Sequence, residues 1–158
     1  LEADGTIAES VIAGDKDNVG PPQPVGADGL AQIEPSSMKV SFIGSDPTMR
    51  QAELTGTGDG RLFAFFRDDQ NADTANIGEV DTKSGQIGGT RHFESVDMGS
   101  GWAFAFWGGD FYMFHAPDRS TTQITRWRPR DNSVTNVGMA PTGSIIVGAG
   151  VSTCAPQN

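Results

Sequence analysis

The stretch Ile33–Val40, with the sequence IEPSSMKV, recurs in outline twice further along the chain. The other two copies are VDTKSGQI at Val80–Ile87 and WRPRDNSV at Trp127–Val134. Successive copies begin 47 residues apart (80 − 33 = 127 − 80 = 47). Each copy is an apolar residue, six mostly polar residues and an apolar residue, which predicts a repeated hairpin. A period of roughly forty to fifty residues built from short strands is typical of β-propeller blades.

Glycine or proline interrupts nearly every window of a dozen residues between Leu30 and Val151, and no stretch with a helical period of 3.6 survives. The sequence therefore predicts an all-β domain. The expected strands are Leu30–Ile33 with Met38–Ile43, Ala52–Thr55 with Arg61–Phe66, Ile77–Asp81 with Gln86–Phe93, Gly101–Phe106 with Phe111–His115, Gln123–Arg128 with Ser133–Val137, and a lone final strand, Ser144–Val151.

The segment before Leu30 has a different composition, rich in Pro, Asp and Gly. Its one weakly periodic patch, at Ile7, Val11 and Ile12, suits either a short helix or an edge strand. We therefore expect residues 1–29 to be a linker or N-terminal arm, residues 30–151 to be the β-repeat domain, and residues 152–158 to be a C-terminal tail.

The strand Trp102–Phe106 predicts how the sheets pack. Because side chains alternate along a strand, its three aromatic residues share one face and its two alanines share the other. Bulky residues from one sheet can then fill the groove left by small ones on the next. We expect an antiparallel, propeller-like stack of blades.

Two blades and additional fragments cannot close a ring, because propellers need about four to eight blades. Three arrangements would cover the remaining faces: a homo-oligomer, the rest of a longer parent protein, or closure of the sheets on one another as a β-sandwich or squat barrel.

The chain of 158 residues is acidic, with a formal net charge of −9 and a pI near 4.5. Phosphate backbones would be repelled, so nucleic acid is not an expected partner. The longest apolar stretch, Ile145–Val151, is too short to span a bilayer, so membrane insertion is not expected. The chain begins Leu1-Glu2, and we expect either a removed signal peptide or an excised fragment. A secreted or cell-surface location fits both.

Two acidic segments are candidates for a calcium site, the one cofactor that the sequence suggests. Asp15 and Asp17 precede Gly20 as at the start of a calcium loop, but the distal glutamate that would complete it is missing. Asp68, Asp69 and Asp73 lie in a loop between strands. Both segments also suit ordinary solvated turns. A further open question is Cys154, which could pair with a cysteine outside the chain or be an inert thiol.

Both histidines, His92 and His115, are expected at strand ends with carboxylates nearby. A nucleophilic triad has little support, because no serine lies in a Gly-x-Ser-x-Gly elbow and no cysteine lies near either histidine. A polysaccharide-acting hydrolase or lyase is kept as the second alternative function, behind the two non-catalytic hypotheses.

Sugar binding is the leading hypothesis. Glycan sites combine an exposed aromatic ring with planar polar groups that satisfy the sugar hydroxyls. Trp107 stands at a Gly-Gly turn, with Asp110 and Tyr112 across the hairpin, and Trp127 leads into Arg128. The alternative for Trp127 is a core position equivalent to Ile33 and Val80.

The segment Leu54–Phe63, followed by Ile77–Asp81, resembles blades of secreted bacterial β-propellers, in which an Asp-Gly turn leads into one strand and a later strand ends in an apolar residue and Asp. The third copy departs from this pattern, since Arg128 replaces the acidic residue. Propellers host both lectins and enzymes, so the resemblance bears on function only by analogy. The leading hypothesis is a non-catalytic surface module that binds a glycan or cell-surface polysaccharide. The first alternative is a structural or protein-interaction segment of a larger surface protein.

Overall fold

The computed structural model describes residues 7–11, 29–44, 46, 51–67, 74–151 and 156. These residues form eleven strands in three antiparallel sheets, without a helix, which confirms the all-β prediction. In particular, the described residues contain no helix long and apolar enough to cross a membrane.

Each sheet is a meander whose strands follow chain order. The first sheet contains β1 (Ile7–Val11), β2 (Gly29–Glu34) and β3 (Lys39–Phe42). The second contains β4 (Glu53–Gly56), β5 (Leu62–Arg67), β6 (Thr74–Val80) and β7 (Ile87–Asp97). The third contains β8 (Trp102–Trp107), β9 (Asp110–His115), β10 (Gln123–Arg128) and β11 (Ser133–Met139).

The repeated hairpin is present at the predicted register in all three sheets. The first and last residues of each copy are ladder partners: Ile33 with Val40, Val80 with Ile87, and Trp127 with Val134. The agreement extends one strand further, because Ile7, Leu62 and Phe111 pair with the first residue of their respective copies. The 47-residue spacing therefore corresponds to one structural unit per sheet.

The turns of the three copies also share their backbone conformation. The sixth residue of each copy has a positive φ: 54° at Met38, 71° at Gly85 and 60° at Asn132. Glycine and asparagine adopt this left-handed conformation readily, whereas in methionine it brings Cβ too close to the backbone. In the first two copies the N–H of this residue donates to the carbonyl of the residue four positions earlier, at 2.7 Å in both.

The second sheet is covered on both faces by its neighbours. Along β5, Leu62, Ala64 and Phe66 belong to a cluster shared with Leu30 of the first sheet. Phe63 and Phe65 alternate with them and belong to the larger cluster shared with the third sheet. The five consecutive residues Leu62–Phe66 are consequently all buried. Face-to-face packing of this kind is compatible with a β-sandwich.

The predicted alternation along β8 is confirmed. Phe104 and Phe106 are buried in the cluster between the second and third sheets, and the partly buried Trp102 packs against it. Phe104 stacks between Phe65, at 5.3 Å, and Phe111, at 5.4 Å. The intervening alanines lie on the opposite face of β8. We call this face, together with the residues of β9–β11 that share it, the outer face of the third sheet.

Three of the expectations need correction or refinement. Residues 144–151 do not form a strand: the Ser144 carbonyl accepts from the Thr122 N–H at 3.0 Å, and the Ile146 N–H donates to Thr122 Oγ1 at 2.8 Å. The squat barrel is wrong for the described residues, because the sheets keep separate edges and do not close into one ladder. The early apolar patch is an edge strand, β1, rather than a helix.

Candidate functional site

Three of the four predicted sugar-binding residues lie together on the outer face of the third sheet. Trp107 ends β8 and is the ladder partner of Asp110, which begins β9. Tyr112 lies two residues further along β9, and so shares a face with Asp110. Their neighbours Phe106 and Phe111 point into the core, so these three side chains point away from the second sheet. We call this group, with Arg126 and Arg128, the β8–β9 site.

The indole of Trp107 is the exposed part of the site, with 49% of its surface accessible. It precedes a two-residue turn in which Gly108 and Gly109 both have positive φ, 61° and 79°. This is the conformation that tight hairpin turns require, and glycine adopts it without steric cost. None of the ring contacts among the described residues involves Trp107. The ring therefore lies at the end of a tight hairpin and is half-exposed.

Asp110 is the buried centre of the site, with 6% of its surface exposed. Arg128 Nε lies 3.3 Å from both carboxylate oxygens, and Arg126 Nε lies 3.6 Å from Oδ2. Arg128 also reaches Asp131, at 3.7 Å. A buried carboxylate needs such partners, because leaving it unpaired would cost several kcal/mol. The cluster holds two carboxylates and two guanidiniums, so its net charge is zero.

The sequence interpretation missed Arg126, and it named Arg128 only as the residue after Trp127, not as a partner of Asp110. Arg126 and Arg128 alternate along β10 with Trp127, which places them on the outer face, and Arg126 is the ladder partner of Tyr112. The signal was the period-two spacing of Arg126 and Arg128 on a predicted strand beside the one containing Asp110. Together the residues present an apolar ring, guanidinium donors and a phenol on one face of the sheet.

Trp127 lies on the opposite face of the third sheet, apart from the other three. Its ring stacks on Phe111 at 5.2 Å and 17°, and it meets Phe93 edge-on at 5.4 Å. The guanidinium carbon of Arg91 is 5.3 Å from the ring centroid. Trp127 thus has the contacts of a core residue and occupies the position of Ile33 and Val80 in its copy. It also contributes to the wall of a groove of about 740 Å³ between the second and third sheets.

The second sheet carries an ion pair at positions equivalent to Asp110 and Arg126, with the charges exchanged. Arg61 Nε and Nη2 donate to the two carboxylate oxygens of Glu79 at 2.9 and 2.6 Å. Arg61 precedes Leu62 as Asp110 precedes Phe111, and Glu79 precedes Val80 as Arg126 precedes Trp127. The hydrogen bonds from Arg61 lower the pKa of Glu79. This pair is half-exposed, in contrast to Asp110.

The two histidines have unlike environments. His92 is exposed on β7, and His115 is buried. His115 Nδ1 lies 2.7 Å from the Asp97 carbonyl, which can only accept, so Nδ1 carries the proton and Nε2 accepts from the Thr125 hydroxyl at 2.9 Å. Burial lowers the pKa of His115, which favours the neutral form. Both nitrogens are therefore engaged in holding strands together.

The predicted calcium ligands, Asp15, Asp17, Asp68, Asp69 and Asp73, lie outside the described residues, as does Cys154. In the part of the chain that the structure does describe, no three histidine, cysteine, aspartate or glutamate side chains are grouped as metal ligands.

No protein-family model matches the chain, and no curated protein matches it in sequence. The geometry of the β8–β9 site is therefore the basis for a functional hypothesis.

Proposed function

We propose that the chain is a secreted or cell-surface recognition module that binds carbohydrate at the β8–β9 site, and that its sheets are blades of the β-propeller type. The blade proposal is supported by the three meanders, which repeat one hairpin register and stack side by side. A propeller places hairpin turns at the ends of its blades, where ligands have access.

The exposed Trp107 ring beside a buried, arginine-bound Asp110 is the observation that carries the binding proposal. Stacking on an indole removes the apolar face of a pyranose from water, and the sugar hydroxyls then need fixed donors and acceptors. Asp110 restrains the guanidinium groups of Arg126 and Arg128, so that less side-chain entropy is lost when a hydroxyl binds.

The charge balance of the site indicates which sugars it suits. Asp110 and Asp131 compensate Arg126 and Arg128, and the whole chain carries −9. Apart from Arg130, which acts on Asp131 at the turn, the charges of the site cancel, and the net charge of the chain would repel an acidic sugar. Neutral hexose polymers are the expected ligands.

Binding to a panel of neutral and acidic polysaccharides, followed by titration calorimetry with the best oligosaccharide, tests the proposal. Trp107→Ala should weaken the affinity by about tenfold or more, the equivalent of about 1.4 kcal/mol, and Trp107→Phe should retain most of it. Met139→Ala is the matched control, because Met139 is equally apolar and 62% exposed at the far end of the same sheet. Unchanged affinity in Trp107→Ala, or no binding by the wild type at millimolar sugar, would refute the proposal.

A further inference from the structure

Each sheet of this chain uses the same row of side chains to pack on the sheet before it. In the second sheet the row contains Leu62 and Val80, which join the cluster with Leu30 of the first sheet. In the third sheet the equivalent row contains Phe111 and Trp127, which pack with Phe63 and Phe65 of the second sheet. Contact between adjacent sheets is therefore directional, from the row of one sheet to the receiving face of the preceding one.

The first sheet carries the same row with no described sheet to receive it. Ile33 and Val40 pair there as Val80 and Ile87 pair in the second sheet. Ile33 and Leu30 lie three residues apart on one strand, so Ile33 points away from the second sheet, into which Leu30 packs. Val40 is 50% exposed, and Phe42, on the same face of β3, is 43% exposed. We call this the free row.

No described sheet packs on the receiving face of the third sheet, although Ile145 and Val147 lie against this face at Gly101. In the second sheet the receiving face contains Phe65, the ladder partner of Ile77, and both are buried. The equivalent partners in the third sheet are Phe114 and Ile124, which are only half-buried on the outer face. An aromatic and an aliphatic side chain at equivalent positions are thus covered in one sheet and accessible in the next.

We propose that two copies of this chain associate head to tail, with the free row of each copy packed on the outer face of the third sheet of the other. One chain contains both halves of the contact, so a second copy supplies what is missing without any other molecule. The contact is heterologous, because the two faces that meet are different. A heterologous contact leaves faces exposed at both ends of the assembly unless the copies close into a ring. Three sheets per chain give six in a dimer, which lies within the four to eight of closed propellers.

This inference rests on the blade architecture of the proposed function but not on sugar binding. When the third sheet covers the second, the Arg61–Glu79 pair at the rim stays half-exposed, with 50% and 45% of the two side chains accessible. The equivalent rim of the outer face is the β8–β9 site. A second copy would therefore cover Phe114 and Ile124, would contact Tyr112, the equivalent of Phe63, and would leave Trp107 accessible. Trp107→Ala and Val40→Glu change different surfaces, so either proposal can fail without the other.

Light scattering coupled to size exclusion, over a range of concentrations, measures the association directly. The wild type should approach about 33 kDa, twice the chain mass of 16.7 kDa. Val40→Glu should raise the dissociation constant by about 100-fold or more, because it places an unpaired charge in an apolar contact. Ser41→Glu is the matched control, since Ser41 is exposed on the same strand and points to the other face. A wild type that stays monomeric at 100 µM, about a hundredfold above a dissociation constant of about 1 µM, would overturn the proposal. A Val40→Glu variant that dimerises as strongly as the wild type would also overturn it.

Mixing two defective variants tests the head-to-tail arrangement itself. Val40→Glu retains an intact receiving face, and Ile124→Glu retains an intact free row, so the mixture restores one of the two contacts. We expect more dimer in the mixture than in either variant alone, and no gain would exclude a heterologous contact. Circular dichroism verifies that both variants are folded, and Ile124→Gln replaces Ile124→Glu if the charged variant is not.

Discussion

Replacing Phe65 by alanine should destabilise the protein far more than the same replacement at Phe114. The two residues occupy equivalent positions, since Phe65 pairs with Ile77 and Phe114 pairs with Ile124. They differ in what covers them. Phe65 is fully buried and stacks on Phe104 at 5.3 Å, whereas Phe114 is half-buried on the outer face.

The magnitude follows from these environments. Truncating a fully buried phenylalanine removes its transfer free energy and leaves a cavity, at a cost of about 3–5 kcal/mol, of which the ring pair accounts for about 1 kcal/mol. A half-buried ring loses roughly half the transfer free energy and leaves an open notch that water can fill, so Phe114→Ala should cost about 1–1.5 kcal/mol. For a chain of this size the melting temperature should fall by about 6–20 °C for Phe65→Ala and by about 2–6 °C for Phe114→Ala.

Urea unfolding at low micromolar protein, followed by tryptophan fluorescence, measures both costs under conditions that favour the monomer. The m-value should stay constant, so that a change in midpoint reports stability alone. Equal losses for the two variants would refute the reasoning, because they would mean that the outer face is as well covered as the face between the second and third sheets. A cost at Phe114 that grows with protein concentration would support self-association.

Three further predictions follow from the turns, the ion pairs and the buried histidine. Because Met38 has a positive φ, Met38→Gly should raise the free energy of unfolding by about 0.5 kcal/mol in urea titrations, whereas Gly85→Ala should lower it by about 1 kcal/mol; the opposite signs would contradict the turn assignment. Asp110→Asn should lower the free energy of unfolding by about 1–3 kcal/mol in the same assay, because Asp110 is buried. Glu79→Gln should lower it by less than about 1 kcal/mol, because its ion pair is half-exposed. A larger loss for Glu79→Gln than for Asp110→Asn would argue against the burial of Asp110. The pKa of His115 is below its ordinary 6.5 in the folded protein, so the unfolded chain takes up the proton first as the pH falls. The free energy of unfolding should therefore decrease below about pH 6.5, by up to about 1.4 kcal/mol per pH unit. If His115→Gln leaves this pH dependence unchanged, the explanation is wrong.

The all-β character and the hairpins were predictable because their determinants are local. The polar turn between Val80 and Ile87 specifies a hairpin by itself, and a repeat at fixed spacing indicates that each copy packs in the same way. The alternation at Trp102–Phe106 likewise predicted which side chains enter the core. The final segment, Ser144–Val151, looked like a strand by composition, but strand formation depends on a partner edge, and its described hydrogen bonds go instead to Thr122.

The site was predictable only in part. Trp107, Asp110 and Tyr112 come together because a short hairpin brings residues close in sequence close in space. Arg126 and Arg128 join them through the pairing of β9 with β10, a longer-range contact that composition alone does not identify. Trp127 illustrates the limit of residue type as a signal, since the same indole suits a ligand platform or a core position, and only the face on which it lies distinguishes the two.

The double coverage of β5 has a consequence for how the native structure opens. We expect amide hydrogens in β5 to exchange with solvent only after one of the two flanking sheets has detached and the strand has separated from its neighbours. The outer sheets, by contrast, can fray singly at the cost of one cluster each. Local stability should therefore be highest in the second sheet, where amide exchange should be slowest, and lower in the first and third sheets.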